Sequence, residues 1–291
     1  MTKEYELLVD AQAVIGEGPI WDEQIKKLYW VDIKGCQIHR YDPATGRDER
    51  LDTGKMVGAV AVRADGTLIA ALHDGFYTVD FDAGVINPLW QTTREEGNRF
   101  NDGKCDPQGR FWAGTMSLDG KRDTGSLYRL DADHSVHHIL SDIFISNGLA
   151  WTADQKTMYY IDSPRKEIWA FDYHAADGSI ANRRTVVKSA AGEGVPDGMT
   201  IDIEGRLWVA QWGGSRVCCY DPRDGQKRRE IFFPDEQTSS CIFGGANMDE
   251  LYVTTAWNTL SDEARRRQPQ AGSLYRVRPG TSGLAATRFL G

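Results

Sequence analysis

Apolar positions in this chain gather into short triplets, each following a polar turn: Leu28-Tyr29-Trp30, Leu68-Ile69-Ala70, Phe111-Trp112-Ala113, Met158-Tyr159-Tyr160, Leu207-Trp208-Val209 and Leu251-Tyr252-Val253. Their first positions are 40, 43, 47, 49 and 44 residues apart. Each triplet is followed by a second apolar or aromatic run that usually ends in Asp and a turn, as in Ile38 to Gly46 and Val217 to Gly225. Aromatic and β-branched runs bounded by Gly, Asp, Asn and Pro predict strands and turns, and the three-and-four spacing of a helical solenoid is missing. A repeat of roughly 40 to 50 residues with four short strands per unit is that of a β-propeller blade. The expectation is an all-β, six-bladed β-propeller, with residues 1–291 as one domain. Tyr5 to Val9 reads as a strand with no partner of its own, so it is expected to complete the last blade and remove an exposed edge.

Composition narrows the classes. Apolar residues make up 41% and include nine Trp, enough for a core between packed sheets, while 30 Gly and 10 Pro suit a chain that turns often. A net charge of -8 argues against a nucleic-acid partner, because no basic excess is present to displace counterions from phosphates. The five cysteines are odd in number and lack zinc-site spacing, and adjacent Cys218 and Cys219 face opposite sides of a strand, so a reduced intracellular protein is expected. The first ten residues carry charge and no apolar run of signal-peptide length, and no stretch of about 18 apolar residues occurs, so the expected location is the cytoplasm, with no membrane partner. Asn258 to Gln270, with Arg265-Arg266-Arg267, reads as a solvated irregular loop.

Counting back 10 or 11 residues from the triplets lands on Glu17, Gly58, Asn101, Asn147, Asp197 and Ser240. In a propeller the innermost strands line a central channel, so these positions would form a ring around one axis. Two carboxylates buried close together cost several kcal/mol or raise a pKa, unless a divalent cation offsets their charge. Carboxylate and carboxamide oxygens suit such a hard cation, with calcium, magnesium, manganese, iron(II) and zinc all admitted. Neighbouring glycines, as in Gly16-Glu17-Gly18, Asn147-Gly148 and Asp197-Gly198, would let backbones approach the axis. All six histidines fall outside this register. Asp102 is out of phase with the ring and reads as a turn or strut residue, with a second reading as a base. No GxSxG, HExxH or GxxxxGK motif is present.

Several segments carry a resemblance in order along the chain: IGEGPIWD from Ile15, NRFNDGKCDPQGRFWAGTM from Asn98, ISNGLAW from Ile145, YYIDS from Tyr159, VPDGMTIDIEGRLWVAQW from Val195 and RQPQAGSLYRV from Arg267. Together they resemble the regucalcin, gluconolactonase and luciferin-regenerating-enzyme family, also called senescence marker protein. The resemblance implies a six-bladed propeller with one divalent metal in its channel and hydrolysis of sugar lactones. It also implies Glu17, Asn147 and Asp197 as metal ligands, Asp197 as proton acceptor or donor, and Arg99 and Asn101 as substrate contacts. Asp119 stands where some animal members have a longer Glu that reaches the sugar hydroxyls. Attack by water would draw on Asp197, or on the metal through a lowered water pKa. The alternatives are a noncatalytic calcium-binding or regulatory propeller, and an ester or organophosphate hydrolase using the same site. Oligomeric state stays open.

Overall fold

Polar turns followed by apolar strands build antiparallel meanders, and the computed structural model, which describes residues 4–92 and 96–291, is accordingly all-β apart from two short helical turns. Strand β1 (Tyr5–Val9) opens the chain. Four separate four-stranded sheets follow. They are β2–β5 (Gly16–Asp22, Lys27–Asp32, Gln37–Asp42, Arg47–Asp52) and β6–β9 (Val57–Val62, Leu68–Leu72, Gly75–Asp80, Val85–Gln91). Next come β10–β13 (Asn98–Cys105, Phe111–Ser117, Gly125–Leu130, Val136–Ile143) and β14–β17 (Ser146–Trp151, Thr157–Asp162, Glu167–His174, Ser179–Lys188). An eight-stranded sheet takes in β18–β21 (Val195–Ile201, Leu207–Trp212, Arg216–Asp221, Gln226–Phe232), β22–β24 (Gln237–Gly244, Glu250–Ala256, Leu274–Val277) and β1. Its two halves meet through Trp212 opposite Gln237. As the sequence leads one to expect, β1 lies antiparallel on β24, with Tyr5 opposite Val277 and Leu7 opposite Tyr275. Among the described residues no helix is long and apolar enough to cross a membrane.

The first strands pack on one another in a closed cycle, β2 on β6, then β10, β14, β18 and β22, which returns to β2. The apolar triplets occupy the second strand of each unit, where Trp30, Trp112, Tyr160 and Tyr252 are fully buried between sheets. Two of the preceding turns share one device. Asp106 Oδ1 accepts from the backbone N–H groups of Gln108 and Arg110, at 2.9 and 3.0 Å, while its Oδ2 accepts from Trp112 Nε1 at 2.9 Å. Asp202 repeats this with Glu204, Arg206 and Trp208 at 2.9, 2.8 and 3.0 Å. One carboxylate therefore closes the turn and orients the indole that the core needs.

The segment Asn258 to Gln270, expected to be irregular throughout, contains a one-and-a-half-turn helix, α1 (Asp262–Arg267). Ser261 caps it, its hydroxyl accepting from Ala264 N at 3.1 Å, with Asp262 and Glu263 in the first turn and the arginines in the last, matching the helix dipole. After β24 the tail crosses the turns of several units as a strap. Ile203 N donates to Ser282 O, Phe289 N to Val62 O and Leu290 N to Gly109 O, at 2.9, 2.8 and 3.0 Å, and the Phe289 ring is fully buried.

Removing residues 1–9 leaves the edge of β24 unpaired and strips the cover from Tyr275 and Phe233, which Tyr5 packs against. The truncated chain is expected to melt at least about 5 °C lower and to scatter light earlier on heating, as read by scanning fluorimetry with scattering detection.

Candidate functional site

Each first strand carries a register break at or beside its ring position. In β6, β14 and β22 one extra residue, Gly58, Gly148 or Ser239, is inserted opposite the second strand. In β2, β10 and β18 two residues, Gly18-Pro19, Asn101-Asp102 and Asp197-Gly198, oppose one. A β-bulge bends its strand and re-aims a side chain, and six in register turn polar groups toward a common axis. Glycine is required where the bulges crowd. A Cβ on Gly58 would sit 2.3 Å from Asn101 O, on Gly148 2.8 Å from Asp197 O, and on Gly198 2.0 Å from Ser240 Oγ. The entries to β2 and β14 are pinned from below: Asp32 Oδ1 accepts from Ile15 N and Asp162 Oδ1 from Ile145 N, both at 3.0 Å, two residues before Glu17 and Asn147.

Glu17, Asn147 and Asp197 are all buried and line one cavity with Arg99 and Asn101. Glu17 Oε2 accepts from Gly18 N at 2.7 Å. Burial and the charge of Asp102 push its carboxyl from 4.5 up to about 8. Asp197 is raised well above the usual carboxylate range, by burial first and then by the charges of Glu17 and Asp102. Two buried carboxyls facing one cavity hold a proton between them or a cation against them.

The carboxamides form a strut. Asn101 Nδ2 donates to Asn147 Oδ1 at 2.9 Å and to Ser146 O at 2.8 Å, and Asn101 Oδ1 accepts from Arg99 Nη1 at 2.7 Å. Arg99, which only donates, and Ser146 O, which only accepts, fix the Asn101 amide, so the Asn147 atom facing its Nδ2 is the oxygen, and Asn147 Nδ2 donates to Ser163 Oγ at 2.7 Å. Arg99 also donates to Phe100 O at 2.9 Å; burial lowers its pKa to about 10, against the opposing pull of Glu17 and Asp197.

The cavity encloses about 320 Å³. Its floor is the polar set above, and Ile15, Ile33, Met116, Ile145, Val195 and Trp212 contribute apolar wall. It opens at the N-terminal halves of the first strands. A separate cavity of about 230 Å³ lies at their other ends, where Cys105, Trp151 and Ile201 meet Leu284 to Thr287 of the strap. No histidine lines either cavity. His39, for one, is buried against Asp48, Nδ1 to Oδ2 2.8 Å.

Two residues stand otherwise than the pattern suggests. Asp119 is exposed on the loop after β11, beside Lys121, and does not line the cavity. Asp102, read as out of phase, is buried and acts electrostatically on both Glu17 and Asp197, because the bulge at Asn101-Asp102 suspends strict alternation. Ser163 and Trp212 complete the cavity; both lie within the motifs YYIDS and VAQW, with nothing in the spacing to assign them.

The donor set fits a hard divalent cation. Among the described residues no three His, Cys, Asp or Glu side chains stand at metal-holding spacing, because the third oxygen of this set is a carboxamide. Asn147 Oδ1 keeps a second lone pair after accepting from Asn101, and the two carboxyls lack only a positive charge between them.

Residues 15–257 match the SMP-30/Gluconolactonase/LRE-like region. Regucalcin of Xenopus laevis is 40% identical over 98% of this chain and 98% of its own length. YvrE of Bacillus subtilis strain 168, whose name proposes a sugar lactone lactonase, is likewise 40% identical over 98% of both chains. The crystal structure of a calcium-binding regucalcin from Agrobacterium tumefaciens C58 superimposes with a TM-score of 0.93, at 28% identity, over 97% of this chain and 96% of that one. Four-stranded meanders, the ring of first strands and this likeness along nearly the whole length lead to one conclusion: the chain belongs to the SMP-30/gluconolactonase/LRE-like family.

Proposed function

We propose that residues 1–291 are a single six-bladed β-propeller that hydrolyses sugar lactones to the open acids, with one divalent cation held by Glu17, Asn147 and Asp197 at the floor of the channel mouth. The closed cycle of first strands supports the six blades, the eight-stranded sheet counting as two joined at Trp212 and Gln237. The observation that carries the activity is the convergence of two buried carboxyls, an oriented carboxamide oxygen and a buried guanidinium on one cavity. The name of YvrE supports the substrate class, and the calcium-binding title of the Agrobacterium regucalcin supports the cation.

When bound, the cation supplies Lewis acidity toward the lactone carbonyl oxygen and the positive charge that keeps both carboxyls ionised. Asp197, ionised, takes a proton from the attacking water. As the acyl carbon–ring oxygen bond opens, that proton is returned to the departing ring oxygen, so atoms and protons balance. Arg99, braced by Asn101, binds ring hydroxyls and aligns the carbonyl over Asp197. Isoleucines 15, 33 and 145 with Trp212 keep bulk water from the floor, which strengthens each charge interaction there. A calcium-binding role without catalysis is the second reading, favoured by the Agrobacterium title; Arg99, buried beside the carboxyls at a desolvation cost, serves a substrate rather than storage of an ion.

Asp197→Asn is expected to lower kcat on aldonolactones by about 10²- to 10⁴-fold while the circular dichroism spectrum is unchanged, measured by a pH-indicator assay across several lactones and metals. Rates indifferent both to this change and to chelation would leave the noncatalytic reading standing. A second outcome follows from Glu17. A carboxyl raised from 4.5 to about 8 on folding contributes stability that is fully present below 4.5 and is lost as pH rises through about 8. With chelator present the melting temperature should therefore fall across that window, and a saturating divalent cation should flatten the fall, as followed by calorimetry at stepped pH.

A further inference from the structure

Beneath the ring lies a charged pair that the proposed mechanism leaves unused. Asp102 and Lys104 stand two residues apart on β10, and both reach into the enclosed channel. Lys104 Nζ donates to Met199 O at 2.6 Å, so its side chain passes under β14, which lies between β10 and β18 in the cycle. Met199 is two residues beyond Asp197, so the ammonium is tied to the strand that carries the candidate base. Lys104 is half-buried and lines the second cavity. Among the described residues no carboxylate makes a direct ion pair with it. Burial lowers its pKa, and Asp102, Cys241 and Glu17 oppose that lowering. Asp102 Oδ1 accepts from Gly103 N at 2.7 Å, and its charge acts on Glu17 and Asp197 together.

We propose that Asp102 and Lys104 are a resident charge couple in the channel floor, positioning residues that set how tightly Glu17, Asn147 and Asp197 hold a divalent cation. The proposal rests on the cation reading above. With a cation bound and Glu17, Asp102 and Asp197 ionised around it, three carboxylates against Arg99, Lys104 and the divalent ion leave one net positive charge in the channel floor. Lys104 thus holds affinity down, and Asp102 holds it up. A unit charge near a divalent ion, where burial limits screening by water, changes its affinity by an order of magnitude or more.

Calorimetric titration of the full, chelator-stripped chain with Ca²⁺ and with Mn²⁺ tests this, with melting curves taken on each variant. Lys104→Met is expected to tighten binding at least about tenfold and Asp102→Asn to weaken it at least about tenfold, while Lys104→Arg stays within about threefold of the natural chain. A merely structural lysine would not give opposite signs in the first two, nor recovery in the third. Folded variants that all bind within about twofold of the natural chain would overturn the couple and leave the cation site intact. A natural chain that takes up neither metal overturns the cation reading and this inference with it. If Lys104→Met fails to fold, the Asp102→Asn titration decides by the same margin.

Discussion

Two acidic side chains forced against each other away from water are the arrangement on which the rest of this molecule turns. Glu17 and Asp197 arrive from opposite parts of the chain, on strands that meet only because six units close into a cycle. Their mutual repulsion and loss of hydration work against that closure, and the apolar surface buried between the sheets supplies the opposing free energy. Trp30, Trp112, Tyr160 and Tyr252 do the packing, and the backbone-capping aspartates behind them hold the turns. The bulges break the ladder where chemistry can use it and leave the pairing of second with third strand regular in each unit.

The fold was legible to the extent that it is periodic. Triplets such as Phe111-Trp112-Ala113 mark second strands because side-chain alternation and turn chemistry both write themselves into residue type. Glu17, Asn101, Asn147 and Asp197 were legible by phase, since equivalent positions in equivalent units share one axis. Asp102 was not. A one-residue bulge leaves the hydrophobic pattern intact on both sides while reversing which way the next side chain points. Lys104 escaped for a different reason: its partner is a backbone carbonyl 95 residues away, and a carbonyl has no residue type to read. The strap from Ser282 to Gly291 lacks period altogether, and the helix at Asp262 is too short for one, although its Ser cap and its acid-to-base order are plain once the helix is known.

The cavity combines a polar floor with aliphatic walls, and the two are supplied by different parts of the same strands. Residues at a bulge face the axis, and those just before it, such as Ile15, Ile145 and Val195, form the mouth. Floor and wall are thereby free to vary separately within one scaffold, which is how a family with a common ring can serve partners of different shape.

The pairing of β1 with β24 also has a temporal side. A ribosome releases Tyr5–Val9 well before Leu274–Val277, so the earlier segment waits, unmatched, while the strands between them are made. Until then the nascent polymer is an unclosed arc with one bare flank. Completion comes as a single event, when two segments made far apart in time find one another.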